Sequence, residues 1–233
     1  DSIMQSYAPG DKPVTGWGEM LHTLAHGDAV CQTAHRADCP FPQEMRYELP
    51  GLVIDNCAMA GRSSKTFREE GRLDDIAAHI RPGDLLVVSF GHNDANRAKA
   101  ERYVPADAFG ESLRPFWDAA RSHGAVCIFA SPVAMREFDE AGVCHPSFAA
   151  YREAMRAFAA EVGAPFIDLG AATAAANTAC GAERGKARYM WVGAKQDNAH
   201  QQNAGACRTA QAFVQQLLQD TTPALDVLRS NFK

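Results

Sequence analysis

Apolar residues in this chain come in short unbroken runs, with amphipathic segments between them. Leu52-Val53-Ile54, Leu85-Leu86-Val87-Val88-Ser89-Phe90, Ala125-Val126-Cys127-Ile128-Phe129-Ala130 and Pro165-Phe166-Ile167-Asp168 are continuous rather than alternating, and β-branched residues are common in them. That pattern predicts parallel strands covered on both faces. Residues 106–122 instead place Phe109, Leu113, Phe116 and Ala120 on one helical face. Residues 147–162 and 203–219 repeat the arrangement, with Phe148, Tyr151, Met155, Phe158 and Val162 in the first and Ala206, Ala210, Phe213, Val214 and Leu217 in the second. Gly124 and Gly163 stand where two of these helices should stop. Strands alternating with helices predict a parallel sheet with helices on both faces, and the length suits a single domain over residues 1–233.

In such sheets function collects at the carboxyl ends of the strands. The places to look are therefore just after residues 54, 90, 130 and 168. Residues 27–50, rich in His, Cys, Pro and charge, read as a long irregular excursion, and residues 171–196 as a second long connection. Lys and Arg number 23 against 28 Asp and Glu, a net charge of −5, which argues against a nucleic-acid partner. No apolar run approaches the roughly 18–20 residues that span a bilayer, so no membrane partner is expected. Seven cysteines include no C-x-x-C pair, which argues against a structural zinc knuckle. Their odd number favours a reducing, cytoplasmic setting over secretion.

Three polar clusters stand near strand ends. Gly61, in Asn56-Cys57-Ala58-Met59-Ala60-Gly61-Arg62-Ser63-Ser64, lets a backbone N–H approach a ligand, or simply makes a strand-to-helix turn. Asn93, in Gly91-His92-Asn93-Asp94, offers a side-chain N–H to a developing oxyanion, or makes an Asx turn. Asp197-Asn198-Ala199-His200 places a carboxylate where it can orient an imidazole, although this spacing is common by chance. His22 and His26 are spaced to share a helical face, but Thr23 stands where a zinc-peptidase motif needs Glu, so no metal site is predicted.

Ser2 becomes informative only in combination. Asp1-Ser2, Gly61, Gly91-x-Asn93-Asp94 and Asp197-x-x-His200 resemble, in order, the four blocks of the SGNH (GDSL-type) hydrolases. Thr15-Gly16-Trp17-Gly18-Glu19, Ala60-Gly61-Arg62-Ser63-Ser64-Lys65-Thr66-Phe67, Glu70-Gly71-Arg72, Gly83-Asp84, Phe90-Gly91-His92-Asn93-Asp94, Ser131-Pro132-Val133, Phe138-Asp139, Tyr151 and Ile167-Asp168-Leu169 are similar to the rhamnogalacturonan acetylesterase family. The resemblance implies a three-layer α/β/α sandwich, flavodoxin-like, with a mainly parallel sheet of about five strands. Its first strand and a Gly would lie upstream of Asp1. The resemblance also implies Ser2 as nucleophile, His200 as general base and Asp197 as its orienting acid. The oxyanion donors would be the N–H groups of Ser2 and Gly61 and the side chain of Asn93. Ala199 departs from the Thr usual in that block.

The activity so implied is removal of O-acetyl groups from acetylated carbohydrate, pectic or rhamnogalacturonan-type, through an acyl-enzyme and with no cofactor. His92, Arg62 and Trp191 are the expected substrate-binding residues. An SGNH esterase or thioesterase for lipidic or small acyl esters is the alternative on the same fold. Against a lipidic pocket stand Arg62, His92, Asn93, Arg188, Tyr189, Trp191, Lys195 and Gln196, a polar and aromatic mixture that suits sugar. A non-catalytic carbohydrate-binding domain is the alternative of another class, disfavoured because every candidate catalytic residue is present.

Overall fold

A computed structural model describes residues 1–25 and 30–232. In chain order the elements are α1 (Trp17–Met20), β1 (Gln32–Ala34), β2 (Met45–Leu49), β3 (Leu52–Asn56), α2 (Ser64–Glu69), α3 (Arg72–His79), β4 (Leu85–Val88), α4 (Ala106–Ser122), β5 (Val126–Ala130), α5 (Ala149–Val162), β6 (Phe166–Ile167), α6 (Leu169–Cys180), α7 (Ala182–Gly185), β7 (Tyr189–Val192), β8 (Lys195–Gln201), α8 (Asn203–Gln219) and α9 (Asp226–Arg229).

The α/β class and the three long helices stand as expected. Strands β4, β5 and β6 pair in parallel, Leu85 opposite Val126 and Phe129 opposite Phe166. Alternate residues of β5 enter different cores. Cys127 and Phe129 pack with Phe109, Leu113 and Phe116 of α4 and Met155 and Phe158 of α5. Ile128 and Ala130 pack with Trp17 of α1 and Ala206, Ala210, Phe213 and Leu217 of α8. Covering on both faces is why these runs are continuous in the sequence.

Four expectations need correction. The parallel sheet has three strands among the described residues, not about five. The run at Leu52 is not part of it: β3 pairs antiparallel with β2, and β2 with β1. The cause is the two-residue turn Pro50–Gly51, with Gly51 at φ 80°, which can only return the chain antiparallel. Val53, 55% exposed, faces away from any core. Residues 27–50 thus include two strands. Residues 171–196 likewise hold most of α6, then α7 and β7 rather than an open connection. The alanine run there is helical, as alanine's propensity favours, and Asp168 caps it by accepting the Ala171 N–H at 3.1 Å.

The first residues meet the segment before α8 across this architecture. Thr15 N–H donates to the Gln201 carbonyl at 2.9 Å, and Trp17 N–H to the Ile3 carbonyl at 2.9 Å. The glycines beside Trp17 permit this approach: a Cβ at Gly16 would lie 2.2 Å from the Gln5 carbonyl oxygen, and one at Gly18 2.6 Å from that of Met4.

Candidate active site

The β7–β8 hairpin carries a bulge. Tyr189 pairs with Gln201 and the next residue, Met190, with Asp197, so Asn198, Ala199 and His200 have no opposite partners. Asp197 Oδ1 fills the bulge by accepting the N–H groups of Ala199 and His200, both at 2.9 Å. His200 Nδ1 then donates to Asp197 Oδ2 at 2.8 Å. Burial opposes ionisation of Asp197, but these backbone N–H groups and the imidazole hold its carboxyl below the usual range. A carboxylate only accepts, so in the neutral ring the proton sits on Nδ1 and Nε2 offers a lone pair. Nε2 lies 3.0 Å from Ser2 Oγ.

Ser2 is held from several sides. Asp1 Oδ1 accepts the Ile3 N–H at 2.9 Å. The Asp1 carbonyl accepts from Met4 and Gln5 at 3.2 and 3.1 Å. Tyr7 Oη donates to the Ser2 carbonyl at 2.8 Å. Burial pushes the Tyr7 hydroxyl up to about 12, so it stays a donor at neutral pH. Asn56 Nδ2 donates to the Met4 carbonyl at 2.8 Å.

The Gly61 turn is tied to this segment, because Gln5 Oε1 accepts the Ala60 N–H at 2.5 Å. Gly61 has φ 78°, a left-handed conformation that favours glycine. Asn93 Nδ2 donates one hydrogen to the Arg62 carbonyl at 3.0 Å, which leaves its second hydrogen available. Asp94, fully buried, locks the two blocks together. Its Oδ1 accepts from Ser64 N and Ser64 Oγ at 2.8 and 2.6 Å, and its Oδ2 from Gly91 N at 3.0 Å. Ser63 caps α2 by a reciprocal pair of bonds with Thr66. Both serines of that block are therefore committed to structure.

The expected substrate-binding residues fare unequally. His92 lies beside this centre: its Nδ1 is 3.7 Å from Asp1 Oδ2 and its ring meets Phe148 edge-on at 4.7 Å. Burial above all lowers its imidazole to about 3, so it is neutral. Phe148 is the one non-glycine residue with positive φ among the described residues, at 56°, a strained conformation next to a site group. Arg62 is tied down by hydrogen bonds to Glu70 at 2.8 Å and to the Ala60 carbonyl at 2.8 Å. Trp191 Nε1 donates to Asn198 Oδ1 at 2.8 Å, and the cations of Arg136 and Lys186 each lie 4.8 Å from its ring centre. Lys195 Nζ is 3.6 Å from Asp197 Oδ2. Tyr189 is buried, donating to the Ala134 carbonyl at 2.9 Å, and Arg188 donates to the Ala176 carbonyl on α6.

Sequence reasoning missed Gln5 and Tyr7, read Phe148 only as a helix-face residue, and gave Asp94 no role. Only Asp94, inside a quoted block, carried a visible signal. The pairing of His22 with His26 involves a residue outside those described; His22 itself stacks on Tyr47 at 4.6 Å. Cys39, Glu44 and Asp75 cluster with metal-ligand atom types. Arg36 already pairs with Glu44 and Asp75.

A hydroxyl, an imidazole and a carboxylate in hydrogen-bonded series can activate the hydroxyl as a nucleophile. The chain belongs to the GDSL-like lipase/acylhydrolase family, whose model matches residues 1–206. It is 32% identical over 239 residues to the rhamnogalacturonan acetylesterase RhgT of Bacillus subtilis, covering 99% of this chain and 92% of that protein. It is 39% identical over 189 residues to the probable rhamnogalacturonan acetylesterase YesY of the same organism, covering 79% of this chain and 87% of the relative. The crystal structure of Bacillus subtilis YxiM superposes with a TM-score of 0.75 at 26% identity, over 96% of this chain and 56% of that one.

Proposed function

We propose that this protein removes O-acetyl groups from acetylated poly- or oligosaccharides of the rhamnogalacturonan type, through an acyl-enzyme on Ser2. The observation that carries the reading is the series Ser2 Oγ–His200 Nε2 at 3.0 Å and His200 Nδ1–Asp197 Oδ2 at 2.8 Å. The likeness to RhgT, a rhamnogalacturonan acetylesterase, and to YesY, a probable one, supports the choice of substrate.

In this mechanism His200 Nε2 takes the Ser2 hydroxyl proton as Oγ attacks the ester carbonyl. Negative charge on the tetrahedral oxygen is met by the Ser2 and Gly61 N–H groups and the second Asn93 amide hydrogen. Collapse breaks the bond to the sugar oxygen, which receives the proton from His200. Water, deprotonated by the same imidazole, then releases acetate and restores Ser2. Asp197 fixes the ring and stabilises its cation. Every step uses side-chain and backbone groups of this chain, and no cofactor enters. His92 and the exposed edge of Trp191 border the sugar.

The test is acetate release from a panel of acetylated glycans, alongside chromogenic esters of increasing acyl length. Release from acetylated rhamnogalacturonan with no gain on longer acyl chains is expected. Preference for long acyl chains would move the reading to a lipidic esterase. Ser2→Ala should remain folded and lose about three powers of ten in rate. Near-normal turnover by that variant would remove Ser2 from the mechanism.

A further inference from the structure

The Gly61 turn is braced from behind in an unusual way. Three consecutive carbonyls each take a side-chain donor. Arg62 Nη1 donates to the Ala60 oxygen at 2.8 Å, Arg102 Nη1 to the Gly61 oxygen at 3.0 Å, and Asn93 Nδ2 to the Arg62 oxygen at 3.0 Å. The flanking amides are also engaged, Ala60 N with Gln5 Oε1 at 2.5 Å and Arg62 N with the Met59 carbonyl at 3.4 Å. Between them the Gly61 N–H has no acceptor among the described residues.

The Ala60 oxygen and the Gly61 N–H belong to one peptide unit. In a trans peptide they point in opposite directions, so a cation at the oxygen lies behind the donor. A charge-assisted bond at that end draws electron density along the amide and makes the N–H a stronger donor. Arg62 is fixed in this pose by Glu70, whose two oxygens accept from its Nε at 2.8 and 3.0 Å. Glu70 is anchored in turn by the buried Arg72, at 2.5 Å. Arg102 stands close behind the turn: a Cβ at Gly61 would lie 3.3 Å from its Nη1. Its Nε is buried without a partner, so its Nη1 bond to the Gly61 carbonyl is the hydrogen bond that ties it to this turn.

We propose that Arg62 and Arg102 are positioning residues for ester hydrolysis: Arg62, on the carbonyl of the peptide that carries the Gly61 N–H, polarises that donor, and Arg102, on the carbonyl of the next peptide, orients the turn that presents it to the oxyanion. The proposal rests on the reading of Gly61 and Asn93 as oxyanion donors. It reassigns Arg62 from touching the sugar to acting through the peptide in front of it.

The experiment compares Arg62→Ala, Arg62→Gln, Arg62→Lys, Arg102→Ala and Asn93→Ala. For each, kcat and KM are measured on an acetyl ester, with the inhibition constant of a trifluoromethyl ketone, which forms a tetrahedral adduct with serine. Both arginine-to-alanine variants should lose about tenfold in kcat with KM within about twofold, and bind the ketone weaker by the same factor. Arg62→Lys, which keeps the cation, should recover more of the loss than Arg62→Gln, which keeps only a donor; these two also read the effect if Arg62→Ala does not fold. Unchanged kcat and ketone binding in the arginine variants, with both reduced in Asn93→Ala, would overturn the proposal and leave the oxyanion reading standing. If Asn93→Ala is also unaffected, that reading fails with it. A rise in KM alone would return Arg62 to sugar contact and overturn the proposal, as would a lower Tm with kcat preserved.

Discussion

At the scale of single residues, charge decides what each group can do. His92 is the clearest case, because burial holds its imidazole at about 3 in the folded protein. In the unfolded chain it titrates near 6.5. As pH falls below about 6.5 the unfolded chain therefore takes up a proton that the folded protein refuses, and stability declines until about pH 3. His92→Gln should flatten that limb: its Tm should fall less between pH 7 and pH 4 than that of the native protein. Equal losses would place the acid sensitivity elsewhere. Asp197 makes a second prediction. Asn in its place still accepts backbone N–H groups through its oxygen, but it cannot hold the imidazolium, so Asp197→Asn should keep Tm and lose about 10³ in kcat. The spacing of Asp197 and His200 was visible in the sequence. That one carboxylate oxygen would take two backbone N–H groups while the other takes the ring was not, because it depends on a bulge defined by β7. Gln5 and Tyr7 were invisible for a similar reason: their partners, Ala60 and the Ser2 carbonyl, are chosen by folding and not by any motif.

At the scale of elements, local pattern worked where an element is long or covered on both faces. Helices α4 and α8 span the predicted residues, because a stripe three and four apart persists over about four turns. Short apolar runs were less safe. Leu52-Val53-Ile54 is as β-branched as its neighbours, and only the Pro50–Gly51 turn before it tells an antiparallel ribbon from a parallel strand. Between elements, glycines mark where chain meets chain. Gly91 has φ 134°, and a Cβ there would lie 2.4 Å from Pro132 Cγ, in the connection after β5. Gly91→Ala combines a disfavoured backbone with a clash against a rigid ring, so a loss of about 3 kcal/mol is expected in urea unfolding. A loss below about 1 kcal/mol would mean that the two connections move apart freely.

At the scale of the whole molecule, the site depends on a core that holds residues 2 and 200 together. Trp17 and Phe213 sit at its centre, ring centroids 5.1 Å apart, with Trp17 fully buried and Phe213 nearly so. Phe213→Ala should cost about 3–5 kcal/mol, or about 10 °C in Tm, with kcat per folded molecule little changed. A large fall in kcat at full folding would instead mean that this core transmits strain to Ser2. The sequence by itself determined the α/β class, the long helices and the chemical identity of the groups at the site. Hydrophobic period and residue type are local properties, set by each segment's own covalent structure. Tertiary structure alone decided that Gln5 takes the Ala60 N–H, that Tyr7 holds the Ser2 carbonyl, and that Arg62 folds back on the Ala60 carbonyl. Each of these depends on which distant surfaces bury one another, and burial is a property of the packed chain rather than of any segment of it.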